Sequence, residues 1–225
     1  MSKLPPAHIA PSGTACRNAQ IQVCRDYVCM DLATHYDLLI DENNDPFRDP
    51  PILQEYMCKW DGEEFCEALE LAKNKKVLEI GIGTGRIAVK VAPRCKDLIG
   101  IDISPKTIER AKENLKDHSN ISFICDDFII HEFGETFDVI YSSLTMMHFR
   151  DKEQVIRKID EILNTGGIFC LSIDKNQSQY IDTGTRKVEI YPDTLDSITS
   201  LIEKTMMSVS KVVETEKAYI IVSKK

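Results

Sequence analysis

The 225-residue chain carries 28 Lys plus Arg against 36 Asp plus Glu, a net charge of −8, with 43% hydrophobic and 28% charged residues. That composition fits one globular domain, or one domain with a small cap, and excludes disordered and fibrous classes. No apolar run reaches the roughly 18–20 residues that cross a bilayer, no signal-peptide stretch develops, and the eight cysteines form no C-x-x-C pair, so the reading is cytoplasmic, with reduced thiols and no metal site.

Residues 1–18, rich in proline, read as a poorly ordered arm. A helix is expected from Ala19 to about Leu39, ended by the turn cluster Asp45-Pro46 to Pro50-Pro51. Two short helices follow, from Ile52 to Cys58 and from Asp61, a candidate N-cap, to Lys73. After Asn74 short apolar runs alternate with amphipathic segments. Strands are expected at Val77–Ile80, Asp97–Ile103, Ile121–Cys125, Phe137–Ser142 and Ile168–Ile173. Helices are expected at Thr84–Ala92, Pro105–Asp117 and Asp151–Leu163, the last leading into a turn at Asn164-Thr165-Gly166-Gly167. Such alternation predicts a parallel sheet covered on both faces. A hairpin is expected between Tyr180 and Tyr191 around Asp182-Thr183-Gly184. The final runs Met207–Glu214 and Ala218–Ser223 are joined by three residues, too few for a crossover, so they must be antiparallel.

Charge is unevenly placed along this chain. Residues 31–74 hold twelve acids and three bases, net −9, whereas residues 1–30 carry +2 and the remaining 151 carry −1. A field of that sign repels phosphate backbones and argues against a nucleic-acid partner.

The strongest chemical signal is Glu79-Ile80-Gly81-Ile82-Gly83-Thr84-Gly85, a buried strand delivering alternating glycines toward a helix, where a ligand can approach the backbone closely. By itself it also satisfies a dinucleotide fingerprint, through Gly83-x-Gly85-x-x-Ala88. Asp102 ends the second strand, 17 residues after Gly85, where a carboxylate can accept from ribose hydroxyls. Asp127-Phe128 follows the third strand and suits an adenine amino group beside a flat apolar contact. Glu79, a carboxylate just ahead of the glycines, is awkward for a pyrophosphate and suits a cofactor with cationic groups.

Together these segments resemble the class I S-adenosylmethionine-dependent methyltransferases. The likeness runs over residues 75–225 through Val77–Gly85, Gly100-Ile101-Asp102-Ile103-Ser104, Asp127-Phe128, Phe137-Asp138-Val139-Ile140 and Leu163–Gly167. Asn164-Thr165 stands where the family often has Lys-Pro, and Asp126 where it often has Gly. The resemblance implies an α/β, doubly wound, mostly parallel seven-stranded sheet with an antiparallel last strand and an N-terminal helical cap. It implies residues 1–74 as arm and cap and 75–225 as the methyltransferase domain. S-adenosylmethionine would be held by Glu79, Gly81, Gly83, Gly85, Asp102, Ile103, Asp127, Phe128, Ser142 and Tyr36.

His148, in Met146-Met147-His148-Phe149, is the candidate catalytic residue. Arg86 is expected as an ion-pair partner, Asp138 as a turn or cap residue, and Trp60 as packing. No Asn/Asp-Pro-Pro-Tyr/Phe motif follows the fourth strand, where Tyr141-Ser142-Ser143-Leu144 stands. The expected acceptor is therefore a small molecule, neutral or cationic, with the acidic cap as its main wall. A non-catalytic S-adenosylmethionine-binding regulator and a nucleotide-dependent oxidoreductase are the alternatives. The antiparallel ending argues against the second, which needs another mononucleotide half.

Overall fold

A computed structural model describes residues 22–24 and 27–225, with side chains from Met30 onward; the proposed arm, residues 1–18, lies outside the described residues. The large sheet is built from β3 (Lys76–Ile80), β4 (Asp97–Asp102), β5 (Ile121–Cys125), β6 (Phe137–Ser143), β7 (Leu163–Asp174), β10 (Ser208–Glu214) and β11 (Ala218–Lys224). Its order is β10-β11-β7-β6-β3-β4-β5. Neighbours from β7 to β5 pair in parallel, while β11 runs antiparallel to both β7 and β10. This is the seven-stranded arrangement expected from the sequence, with the chain's last strand reversed.

Helices α4 (Ala88–Val91), α5 (Pro105–Asn114), α6 (Lys152–Ile162) and α7 (Leu195–Ile202) belong to the segments connecting these strands, and α1 (Leu32–Asp41), α2 (Pro51–Met57) and α3 (Gly62–Ala68) precede them. Period-two alternation divides the core between the two faces of the sheet. Val77, Leu98, Val139 and Tyr141 pack on one side with Phe65 and Val91. Leu78, Ile80, Ile140 and Phe169 pack on the other with Ile159 and Ile198. Strand order reverses between β3 and β6, so their carboxyl ends open a crevice at the switch point of the sheet.

Three expectations are corrected. The helix assigned to Ala19–Leu39 gives way to β1 (Gln22–Cys24) and β2 (Tyr27–Cys29), and helix begins only at Leu32. β2 pairs in parallel with β9 (Arg186–Glu189), which pairs antiparallel with β8 (Tyr180–Asp182), so a sequence-distant hairpin supplies the edge that draws these residues into strand. The helix assigned to Thr84–Ala92 shrinks to Ala88–Val91 followed by a 3-10 turn, Ala92–Arg94. Gly83 and Gly85 sit at φ +55° and +97°, which hold the chain in turns that helical residues cannot adopt. Finally, β7 starts at Leu163 rather than after the glycine pair, because Leu163 already pairs with Phe137. Asn164 donates to Asp138 there, and Asp138 also accepts from the Lys76 N–H; Asp138 lies within β6 and bridges two strands rather than serving as the turn or cap residue expected.

The cap lies on α5. Ser104 is the N-cap of that helix: its Oγ accepts from Thr107 N at 3.1 Å and donates to Asp37 of α1 at 2.6 Å. Further along, Lys106 meets Asp41 and Arg110 meets Asp45. Ser104→Ala should lower unfolding free energy by about 1–2 kcal/mol, the usual worth of a side-chain N-cap, in urea titration. An unchanged midpoint would show that the cap and the helix start are held by other contacts. Among the described residues no helix is long and apolar enough to cross a membrane.

Candidate active site

The crevice holds a cavity of about 270 Å³. Its floor is the turn after β3. Gly81 N and Ile82 N both donate to Ile101 O of β4, which pins the turn against the neighbouring strand. At Gly81, with φ +75°, an added Cβ would lie 2.2 Å from Thr145 Oγ1, and at Gly85 one would lie 2.6 Å from Leu115. These two glycines are required by packing. Gly83 differs: it has positive φ, yet nothing lies within 4 Å of where its Cβ would be, so it faces open space in the cavity wall. Gly83→Ala should therefore fold with a loss of only about 1–2 kcal/mol for the left-handed backbone. It should lose ligand affinity out of proportion to that, in paired thermal-melt and calorimetric measurements. Equal affinity in the variant would mean that no ligand approaches this backbone.

Asp102 ends β4 opposite this turn. Its Oδ2 accepts from Gly83 N at 3.0 Å and its Oδ1 from Ser104 N at 3.1 Å. Burial pushes its carboxyl up, against the lowering effect of those backbone N–H groups. Glu79 reaches the same cavity from β3. The parallel register sets Glu79 beside Tyr141 of β6, and Tyr141 donates its hydroxyl proton to Glu79 at 2.7 Å. Glu79 is 3% exposed, and burial pushes its carboxyl up to about 8 despite that hydrogen bond and the nearby Arg86 guanidinium.

Arg86 is an ion-pair partner, as expected. Both its terminal nitrogens donate to Asp61, at 3.0 and 2.5 Å. Asp61 also accepts from Ser143 Oγ at 2.9 Å and from Gly62 N at 3.0 Å. A residue that the sequence marks only as an N-cap thus ties α3 to the glycine turn and to the end of β6. The local signal, an acid before Gly-Glu-Glu, describes the helix start and says nothing of these distant partners.

Asp126, Asp127 and Phe128 line the cavity beyond β5, and Ile103 lines it beyond β4. Asp127 Oδ1 accepts from Ile129 N at 2.8 Å, and Asp126 pairs with His131 at 3.0 Å. Phe128 is buried, its ring edge-on to Phe149. From the cap, α1 contributes Leu32 and Tyr36, and α2 contributes Met57. Tyr36 Oη lies 2.8 Å from His148 Nε2. Burial raises the tyrosine's pKa and lowers that of His148 to about 4, so both are uncharged at neutral pH. His148 Nδ1 is buried without a partner.

Two sequence assignments are not brought into the cavity. Ser142 turns away, its Oγ donating to Ile80 O at 3.0 Å, and strand alternation presents Ser143 instead. Gly85 serves the turn against Leu115 and does not line the cavity. Trp60 is also outside it, donating to Asp174 at 3.0 Å and edge-on to Tyr56. The sequence reading missed Leu144 and Thr145. Leu144 sits at φ +56°, a strained value for a branched residue, at the carboxyl end of β6 in the cavity wall.

These residues fit an adenosine cofactor bearing an amino-acid tail. An open glycine offers backbone approach, a buried carboxylate stands at the second strand, another follows the third beside a phenyl ring, and a buried carboxyl faces the glycine turn.

Comparison with known proteins agrees. The profile of a family described as a methyltransferase domain matches residues 71–222. A putative protein N5-glutamine methyltransferase from Methanocaldococcus jannaschii is 42% identical over 94 residues, 41% of this chain and 45% of that protein. Malonyl-[acyl-carrier protein] O-methyltransferase 1 from Ilyobacter polytropus is 30% identical over 110 residues, 48% of this chain and 41% of that protein. The likeness thus spans less than half the length of either relative. The crystal structure of the N-methyltransferase NodS from Bradyrhizobium japonicum with S-adenosyl-L-homocysteine superposes with a TM-score of 0.63 at 23% identity, covering 84% of this chain and 97% of that one. With the profile matched over more than half its length, the chain belongs to the methyltransferase domain family.

Proposed function

We propose that the protein transfers the methyl group of S-adenosylmethionine to a small-molecule acceptor, with residues 75–225 as the catalytic domain and 1–74 as arm and cap. The observation that carries this reading is the meeting of buried Glu79, open Gly83 and Asp102 at the switch point of the sheet. When bound, the cofactor supplies a methyl on a sulfonium, an already activated leaving group. Asp102, with Ile103 beside it, would accept from the ribose hydroxyls. Asp127 and Phe128 would hold the adenine, and the turn of Gly81, Gly83 and Gly85 would carry the backbone around the tail. Glu79 would face the amino group. Tyr36 and His148 would form the wall on the acceptor's side, with Ser143 rather than Ser142 at the end of β6. The protein's contribution is proximity, alignment and exclusion of water, for which the α1 roof and the apolar Leu32 and Met57 are suited. A cytoplasmic location and an acceptor without an anionic reacting group belong to the same proposal.

Titration calorimetry with S-adenosylmethionine, S-adenosylhomocysteine and NAD tests it. The first two should bind and NAD should not. Preference for NAD would overturn the reading in favour of an oxidoreductase, and tight binding without turnover on any acceptor class would favour a regulatory protein.

A further inference from the structure

The charges and hydrogen bonds of the cavity narrow the acceptor's chemistry, on the methyl-transfer reading just given. We propose that the acceptor is an amine that attacks as its free base, its N–H held by the Tyr36 oxygen, with His148 as a positioning residue rather than a base. Whichever partner donates within the 2.8 Å Tyr36–His148 pair, the phenolic oxygen keeps a lone pair for another donor, and Tyr36 lines the cavity. An amine N–H accepted there leaves the nitrogen lone pair to be directed at the methyl group.

Other acceptor classes fit less well. Alcohols must shed a proton as they react, and the imidazole nitrogen on this wall, His148 Nε2, is already engaged by Tyr36. Tyr36 is packed among His35 of its own helix and Asp102 of β4, while His148 is faced by Tyr36, His35 and Lys152; burial and the neighbouring cationic groups oppose protonation of the imidazole. Carboxylates, thiolates and phenolates would enter a cavity walled by Asp102, Asp126 and Asp127. The cation among its described walls, Arg86, is already engaged by both oxygens of Asp61. That same field draws an ammonium ion in, and water takes its proton before attack.

The step balances without a protein base. The nitrogen lone pair forms the N–CH3 bond as the methyl–sulfur bond breaks, and the sulfur keeps that electron pair as a neutral thioether. The nitrogen, now cationic, gives its proton to water on release.

The test uses the full chain with S-adenosylmethionine carrying a 13C-labelled methyl group. The acceptor panel comprises benzylamine, 2-aminoethanol and aniline set against catechol, benzoate and thiophenol, with carbon-13 correlation spectra reporting the atom that receives the label. The expected product is N–CH3. Its kcat/KM should rise about tenfold per pH unit below the pKa of each amine and level off above it. Tyr36→Phe should lower kcat/KM for amines by about 3–10-fold, the worth of one hydrogen bond. His148→Gln should lose less than about tenfold and keep the pH limb at the amine's own pKa. Label on oxygen or sulfur, no turnover of any amine, or a loss of 100-fold or more in His148→Gln with the pH limb displaced would each overturn the amine assignment. Calorimetry with S-adenosylhomocysteine separates the two levels: binding retained alongside any of those results sinks the amine assignment alone, and absence of binding sinks the methyl-transfer reading beneath it.

Discussion

Asp102→Ala is expected to weaken S-adenosylhomocysteine binding by about 2–4 kcal/mol, a factor of roughly 30–1000 in Kd by titration calorimetry. Two losses combine. The carboxylate would no longer accept from ribose hydroxyls, and hydrogen bonds to a charged group are worth about 1.5–3 kcal/mol each. It would also release Gly83 N, which it holds at 3.0 Å, so the one glycine whose face is open to the cavity would no longer be fixed. Asp102→Asn keeps an acceptor oxygen for Gly83 and removes the charge, and should therefore fall between wild type and alanine. Unchanged affinity in the alanine variant would put the ligand somewhere other than the switch-point crevice.

The place of Asp102 in the crevice is legible in the sequence because it needs only strand order and spacing: a carboxylate at the end of the strand next to a glycine turn. The same holds for Glu79, Gly81 and Gly83. A strand's alternation also orients its side chains, yet it does not say which of Ser142 and Ser143 faces the crevice. Deciding between them requires the register of β6 against β3, fixed by pairs such as Glu79 with Tyr141, far apart in the chain. The first helix failed for a related reason. Gln22–Cys24 pairs with Tyr27–Cys29, and the strand that Tyr27–Cys29 joins, Arg186–Glu189, lies more than 150 residues away.

The acidic segment 31–74 changes meaning for the same reason. Read along the chain, twelve carboxylates suggest a field; in the fold many have assigned partners on the sheet domain. Asp41 meets Lys106, Asp45 meets Arg110, Asp61 meets Arg86, Glu70 meets Lys224, and Glu42 takes both terminal nitrogens of Arg186. Arg186, buried on β9, also donates to His35 at 3.2 Å, which fastens the α1 roof to the inserted hairpin. Much of the charge is therefore attachment of the cap. The carboxylates of the cavity wall, Asp102, Asp126 and Asp127, lie outside that segment, as does the Glu79 carboxyl.

Glu79 gives the largest pH effect expected of this fold below pH 8. Its carboxyl sits near 8 when folded, against 4.5 ordinarily, chiefly through burial; Tyr141 and Arg86 act in the lowering direction, Asp102 and Asp61 in the raising one. Between those pH values the folded protein holds a proton that the unfolded chain has released. The resulting stabilisation is complete below pH 4.5 and is lost as pH rises through 8, at about 1.4 kcal/mol per pH unit. Glu79→Gln cannot ionise, so its unfolding free energy minus that of wild type should climb with that slope from pH 5.5 to 7.5 and flatten above 8. The other titrating groups cancel in this difference. Parallel stability curves in urea would show that Glu79 is ionised throughout. Ligand binding should follow the opposite sense. A cationic amino group beside Glu79 favours the carboxylate, so at pH 7 S-adenosylhomocysteine should displace close to one proton, seen as a dependence of calorimetric heat on buffer ionisation enthalpy. Affinity should then strengthen by up to tenfold per pH unit until the carboxyl is already ionised, and Glu79→Gln should show neither the proton nor the slope.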